Sequence, residues 1–195
     1  MSEIPEYVPI SIPRPRGFEY SEGAFVNRNL RVREVKPGSG VHIAVLNLRG
    51  DWELADAFGQ ILARHVLPNV EVLMMPAGKA ENLLHVVASE LRLPTVVPVK
   101  EYREIMGEGC LKATVRSITT NREQTLYLTA EDVEKIRGRR VAFLDDVIST
   151  GDSWRACQDL IDQAGGYHHQ ALACFTEGDR RPEVISLGHL TVYKS

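Results

Sequence analysis

The stretch VAFLDDVISTGDS, residues 141 to 153, constrains the fold more than any other part of the chain. Val141 to Leu144 read as a strand buried on both faces, the kind found in parallel sheets covered by helices. The strand ends in two adjacent carboxylates, Asp145 and Asp146, and passes at once into a loop of small hydroxyl residues and a glycine that opens a helix. In open α/β sheets, ligands bind outside the carboxyl ends of the strands, where loops lead into helices. Backbone amides at this helix N-terminus, with the hydroxyls of Ser149, Thr150 and Ser153, would converge on an anion, and Gly151 lets the backbone approach closely. A monophosphate suits that loop. The two acids cannot hold the same phosphate, because like charges repel. They need donors or a cation, and ribose hydroxyls near a magnesium ion meet that need. A phosphate and a vicinal diol held by one short segment describe a ribose 5-phosphate.

Each half of the motif has a blander reading. An acid pair at a strand end can be a helix cap plus a solvated residue, and STGDS can be an N-cap box with Thr150 or Asp152 as the cap. Joined behind an apolar strand, the halves favour the ribose phosphate. The competing nucleotide signatures, GxxxxGK[ST] and a GxGxxG after a strand, are missing.

The rest of the chain supports an α/β domain. VHIAVLNL (41 to 48) reads as a strand, and the next segment places Leu54, Phe58, Ile61, Leu62 and His65 on one helical stripe with Asp51 as N-cap. VEVLMMP (70 to 76) and TVVPVKE (95 to 101) read as strands, with a helix between them that buries Leu83, Leu84, Val87 and Leu91. KATVRSI and QTLYL, joined by a polar turn, form an inserted hairpin. A short helix follows, with Thr129 placed as its cap. After the anion loop comes a helix with Trp154, Cys157, Leu160 and Ile161 inward, and then late strands in QALACF and LTVY. The order predicts a mostly parallel twisted sheet flanked by helices. The first two dozen residues carry prolines at short intervals and no helical period, which predicts an extended arm or loop, either a tail or a subunit-embracing arm. The division expected is a proline-rich arm at 1–28 and a single domain at 29–195.

Composition excludes several classes. No apolar run could span a membrane or serve as a secretory signal, so a cytoplasmic protein is expected. The formal net charge is −3 and no block of Lys and Arg stands out, which argues against a nucleic-acid surface. Cys110, Cys157 and Cys174 are widely spaced and the six histidines show no ligand spacing, so neither a disulfide framework nor a protein-built metal site is suggested.

VAFLDDVISTGDS resembles the signature of the type I phosphoribosyltransferases, which bind 5-phosphoribosyl 1-pyrophosphate (PRPP). The resemblance runs through the preceding hundred residues: VLMMPAGKAENLLHVVASEL resembles that family's strand, pyrophosphate loop and helix, and TVVPVKEYR its next strand. It is strongest to the adenine phosphoribosyltransferases and related purine proteins, and fades before about residue 40 and after about residue 178.

The resemblance implies the type I phosphoribosyltransferase fold, with an inserted hairpin or flexible loop and a small hood built from both termini. It assigns Asp145 and Asp146 to the ribose 2- and 3-hydroxyls and the loop Ser149, Thr150, Gly151, Asp152 and Ser153 to the 5-phosphate. Many members carry Glu-Asp in place of Asp-Asp. Ala77, Gly78 and Lys79 match the pyrophosphate loop, where Lys79 either adds a charge or faces solvent. Lys100 stands where many relatives have arginine, which keeps the charge without the bidentate fork, and Arg103 is the candidate to compensate. Glu104 and Glu108 are either acid-base groups or solvated loop charges. The implied reaction is displacement of pyrophosphate from PRPP by a purine base, adenine first, in purine salvage. Mg²⁺ would come with PRPP near Asp145 and Asp146, and a homodimer is expected. Xanthine, hypoxanthine, guanine or orotate as the base, and a non-catalytic PRPP-binding regulator, are the alternatives.

Overall fold

Strands whose even and odd positions are both apolar must be buried between two layers, and the centre of this chain is built from such strands. The computed structural model describes residues 3–15, 24–102, 104–116 and 123–195. In chain order the elements are β1 (Tyr7–Pro13), β2 (Phe25–Glu34), β3 (Val41–Ala44), α1 (Trp52–Ala63), β4 (Val72–Met74), α2 (Glu81–Leu91) and β5 (Thr95–Val96). They continue with a 3₁₀ turn (Glu104–Met106), β6 (Leu111–Arg116), β7 (Glu123–Leu128), α3 (Ala130–Ile136) and β8 (Arg140–Ile148). The chain closes with α4 (Asp152–Gln163), β9 (Tyr167–Glu177), β10 (Ile185–Leu190) and β11 (Tyr193–Lys194).

The central sheet has the order β10-β9-β8-β4-β5, and all of its pairings are parallel. Alternation along its strands divides the core in two. Leu73, Ala142, Leu144, Leu172 and Cys174 pack with Leu54, Phe58 and Leu62 of α1 and Leu83 and Val87 of α2. Val72, Val141, Phe143, Ala171 and Ala173 pack with Val133 of α3 and Trp154, Cys157 and Leu160 of α4. The hairpin β6–β7 joins the second core through Ala113, Leu126 and Leu128. Both capping expectations hold: Asp51 accepts the Leu54 amide at 3.2 Å and Thr129 accepts the Asp132 amide at 3.1 Å.

Three readings change. The strands expected at 70–76 and 95–101 shrink to β4 and β5, because Pro76 and Pro98 follow them and offer no amide to a ladder. β3 does not enter the parallel sheet; it pairs antiparallel with β2 and β11. His65 lies beyond the end of α1 and is exposed.

The proline-rich stretch also enters a sheet. β1 pairs antiparallel with β2 over Tyr7↔Arg31 to Pro13↔Phe25, and Ile12 and Val26 are buried. Pro9 and Pro13 are tolerated because β1 is the edge strand of the order β1-β2-β3-β11. This four-stranded sheet is built from both ends of the chain and supplies the expected hood. A boundary after residue 28 would cut β2.

Candidate functional site

Strand order decides where a ligand can enter. From β4 the chain crosses through α2 to β5 on one side, and from β8 it crosses through α4 to β9 on the other. The two crossovers diverge between β4 and β8, a topological switch point at the carboxyl end of the sheet. β4 pairs with β8 only as far as Met74↔Phe143, while β9 keeps β8 extended to Ile148↔Thr176. The acids therefore lie within the strand rather than at its end. Asp145 and Asp146 sit on the part of β8 that β4 has left open.

A cavity of about 380 Å³ occupies that opening. Asp145, Asp146, Ser149, Ser153, Ala77, Gly78, Lys79 and Lys100 all line it, and Ile43 to Leu46 close it from the hood side. A second cavity of about 170 Å³ shares Asp145, Val147, Ser149 and Ser153 with the first and is completed by Thr150, Gly151 and Asp152. Residues far apart in sequence thus meet around two adjoining cavities. Arg103 lies outside the described residues. Glu104 and Glu108 are exposed and line neither cavity.

The acid pair is internally bonded. Asp145 accepts the Asp146 amide at 2.9 Å, and Asp146 accepts the Val147 amide at 2.8 Å. Burial pushes the Asp145 carboxyl well above its ordinary range, the neighbouring charge and hydrogen bond of Asp146 add to this, and Lys100 opposes it. Asp145 therefore holds its proton more readily than an exposed carboxylate does.

The anion loop departs from an ordinary capped helix start. The cap of α4 is neither Thr150 nor Asp152 but Gly151, at φ 76°, with no side-chain cap hydrogen bond. Thr150 instead donates to Asp152 at 2.8 Å, and Asp152 pairs with Arg155. The α4 N-terminus faces the smaller cavity with the arrangement that favours anions.

The loop at 77–79 is tied differently. The Ala77 amide donates to the Pro98 carbonyl at 2.8 Å, and Arg49 donates to the Gly78 carbonyl at 3.2 Å. The Gly78 amide donates to the Glu81 carboxylate at 3.1 Å.

Two residues of the site escaped sequence reasoning. Glu177, at the end of β9, is 5% exposed and lines the larger cavity. Burial raises its pKa, and a hydrogen bond with Ser149 opposes the rise. Arg181 donates to the Ser149 and Thr150 carbonyls at 3.0 and 2.7 Å. The available signal was β9 itself: a charged residue ending an apolar strand beside the acid pair is a candidate for the same crevice.

Among the described residues, no cluster of three or more His, Cys, Asp or Glu could hold a metal ion, and no helix is long and apolar enough to cross a membrane.

No family model matches the chain. Its sequence is similar to the HGPRTase-like protein 1 of Haloquadratum walsbyi, 32% identical over 106 residues, which are 54% of this chain and 52% of that protein. It is also similar to the xanthine phosphoribosyltransferase of Chloroflexus aurantiacus, 31% identical over 122 residues, 62% of this chain and 56% of that one. The chain spans about half the length of these curated relatives. Among solved structures, the adenine phosphoribosyltransferase of Thermoanaerobacter pseudethanolicus superposes with a TM-score of 0.62 at 18% identity, covering 72% of this chain and 83% of that one. The Giardia lamblia enzyme, solved with 9-deazaadenine, covers 93% of both chains with a TM-score of 0.58 at 14% identity.

The class of fold is thereby defined: the chain has the type I phosphoribosyltransferase fold. Within it, the resemblance is to the purine proteins, adenine enzymes by structure and xanthine and hypoxanthine/guanine proteins by sequence.

Proposed function

We propose that the protein is a purine phosphoribosyltransferase that moves the 5-phosphoribosyl group of PRPP to a base, with adenine as acceptor, releasing AMP and pyrophosphate in purine salvage. The observation that carries this reading is the meeting of acid pair, anion loop and 77–79 loop around adjoining cavities at the β4/β8 switch point.

In this reading the loop Ser149 to Ser153 takes the 5-phosphate, and Asp145 and Asp146 accept hydrogen bonds from the ribose diol. The 77–79 backbone and Lys79 meet the pyrophosphate, with Lys100 beside them. Departure of pyrophosphate leaves an oxocarbenium-like sugar, and the ring nitrogen of the base attacks from the opposite face. The chain's work is to hold both reactants in line and to keep water out. Two adjacent carboxylates suit a Mg²⁺ ion that draws its other ligands from substrate and water. When bound, that ion supplies charge neutralisation for the leaving pyrophosphate.

The test is nucleotide formation from PRPP and Mg²⁺ with a panel of bases, read by chromatography, alongside calorimetric binding of PRPP. AMP formation with adenine preferred is the expected result. Turnover with xanthine, hypoxanthine or guanine instead would replace the acceptor, and the names of the sequence relatives favour that second reading. PRPP binding without turnover on any base would make the protein a PRPP-binding regulator. We also expect a homodimer in the cytoplasm; a monomer mass by sedimentation at micromolar concentration would rule out the dimer.

A further inference from the structure

The segment EGDRR at 177 to 181 grips the anion loop from outside. Arg181 donates through Nε to the Ser149 carbonyl at 3.0 Å and through Nη2 to the Thr150 carbonyl at 2.7 Å. Glu177 holds the Ser149 side chain by a hydrogen bond. The Arg181 side chain is 18% exposed, and Glu183 lies 3.8 Å from it.

A trans peptide points its C=O and its N–H in opposite directions. The Ser149 carbonyl shares a peptide with the Thr150 amide, and the Thr150 carbonyl shares one with the Gly151 amide. Two carbonyls drawn onto one guanidinium therefore turn these two amides away from it. Arg181 does not line the 170 Å³ cavity, which Thr150 and Gly151 do, so it acts through the backbone. Gly151 at φ 76° continues the concave run of amides that suits an anion. A Cβ on Gly151 would lie 3.4 Å from the Arg181 guanidinium carbon and 3.4 Å from Nη1 of Arg155, so the brace packs against this glycine. A planar fork can hold two carbonyls at once, and a lysine ammonium cannot match that geometry.

We propose that Arg181 is the positioning residue of the 5-phosphate site: it orients the Thr150 and Gly151 amides before ligand arrives and sets a fixed positive charge behind them. This assignment rests on the ribose-phosphate reading of the loop and adds to it a residue well beyond the signature.

The experiment is calorimetry of the full chain with ribose 5-phosphate, with PRPP and with pyrophosphate, for wild type, Arg181→Gln, Arg181→Lys and the exposed neighbour Arg180→Gln. Loss of two charge-assisted bonds to the loop should weaken ribose 5-phosphate and PRPP by the same factor, about tenfold or more, and leave pyrophosphate within about twofold. Arg181→Lys should recover part of the loss by keeping the charge, and Arg180→Gln should stay within about twofold. A merely structural role would lower pyrophosphate binding together with the other two and would overturn the assignment. So would an Arg181→Gln or Arg181→Lys protein with wild-type affinity for ribose 5-phosphate. If wild type binds neither ribose 5-phosphate nor PRPP, the reading of the loop falls and the assignment with it.

Discussion

The two loops that face each other across the switch point are built in opposite ways. At 149–153 the helix start has no side-chain cap, the cap is Gly151 in the left-handed region, and Arg181 braces the loop from behind. At 77–79 the Gly78 amide already donates to a carboxylate of the chain's own, Glu81. On the proposed function, one anion site is preformed, whereas in the other a carboxylate of the chain holds a donor that an anion would take. The difference suits a substrate whose 5-phosphate stays bound throughout and whose pyrophosphate must leave. A permanent anchor gains from preorganisation, while a departing group gains from a competitor ready to reclaim the donor.

Breaking the preformed loop should have the largest effect. Gly151→Ala forces a side chain into a left-handed conformation, where its Cβ would be in van der Waals contact with two guanidinium groups. Strain of about 1–3 kcal/mol, borne by the loop itself, should cost ribose 5-phosphate affinity by up to about a hundredfold, read by calorimetry. Wild-type affinity would show that the loop is not preformed.

Between the loops, Asp146→Asn should leave the fold intact and weaken PRPP by about 1–3 kcal/mol through loss of a charge-assisted hydrogen bond. Unchanged PRPP affinity would mean that the ribose lies elsewhere.

Asp145→Asn should sharpen the comparison through stability. The folded-state pKa of Asp145 is raised above its ordinary value of 3.8, so the folded protein binds the extra proton. Stability of the wild type must then fall as pH rises from that value through the folded pKa, with the penalty complete above it. The expected result is a variant whose thermal midpoint exceeds that of wild type, by a margin that grows with pH across this window, although its PRPP binding is weaker. A margin independent of pH would refute the buried-proton account.

The smallest effect belongs to the occupied loop. Glu81→Gln removes the carboxylate that accepts the Gly78 amide and should tighten pyrophosphate by about 0.5–1.5 kcal/mol. If affinity falls instead, Glu81 supports the loop rather than competing for it.

Local chemistry decided much of this protein within its sequence. The apolar run Val141 to Leu144, the acids behind it and the hydroxyl-rich turn predict a ligand site at the carboxyl side of the sheet, because buried strands, caps and anion-binding turns each depend on residues only a few positions apart. The Asp51 and Thr129 caps were legible for the same reason. Tertiary structure alone decided what neighbours whom. β3 reads as another strand of the alternating order, yet hydrogen bonding to β2 and β11 draws it into the hood. The prolines of β1 read as an arm until an edge position makes their missing amides harmless. Arg181 and Glu177 reach the anion loop only because β9 lies beside β8, a parallel pairing that no local pattern encodes. A side chain that acts on a loop some thirty residues away carries no periodicity or motif of its own; only the register of the strands brings it there.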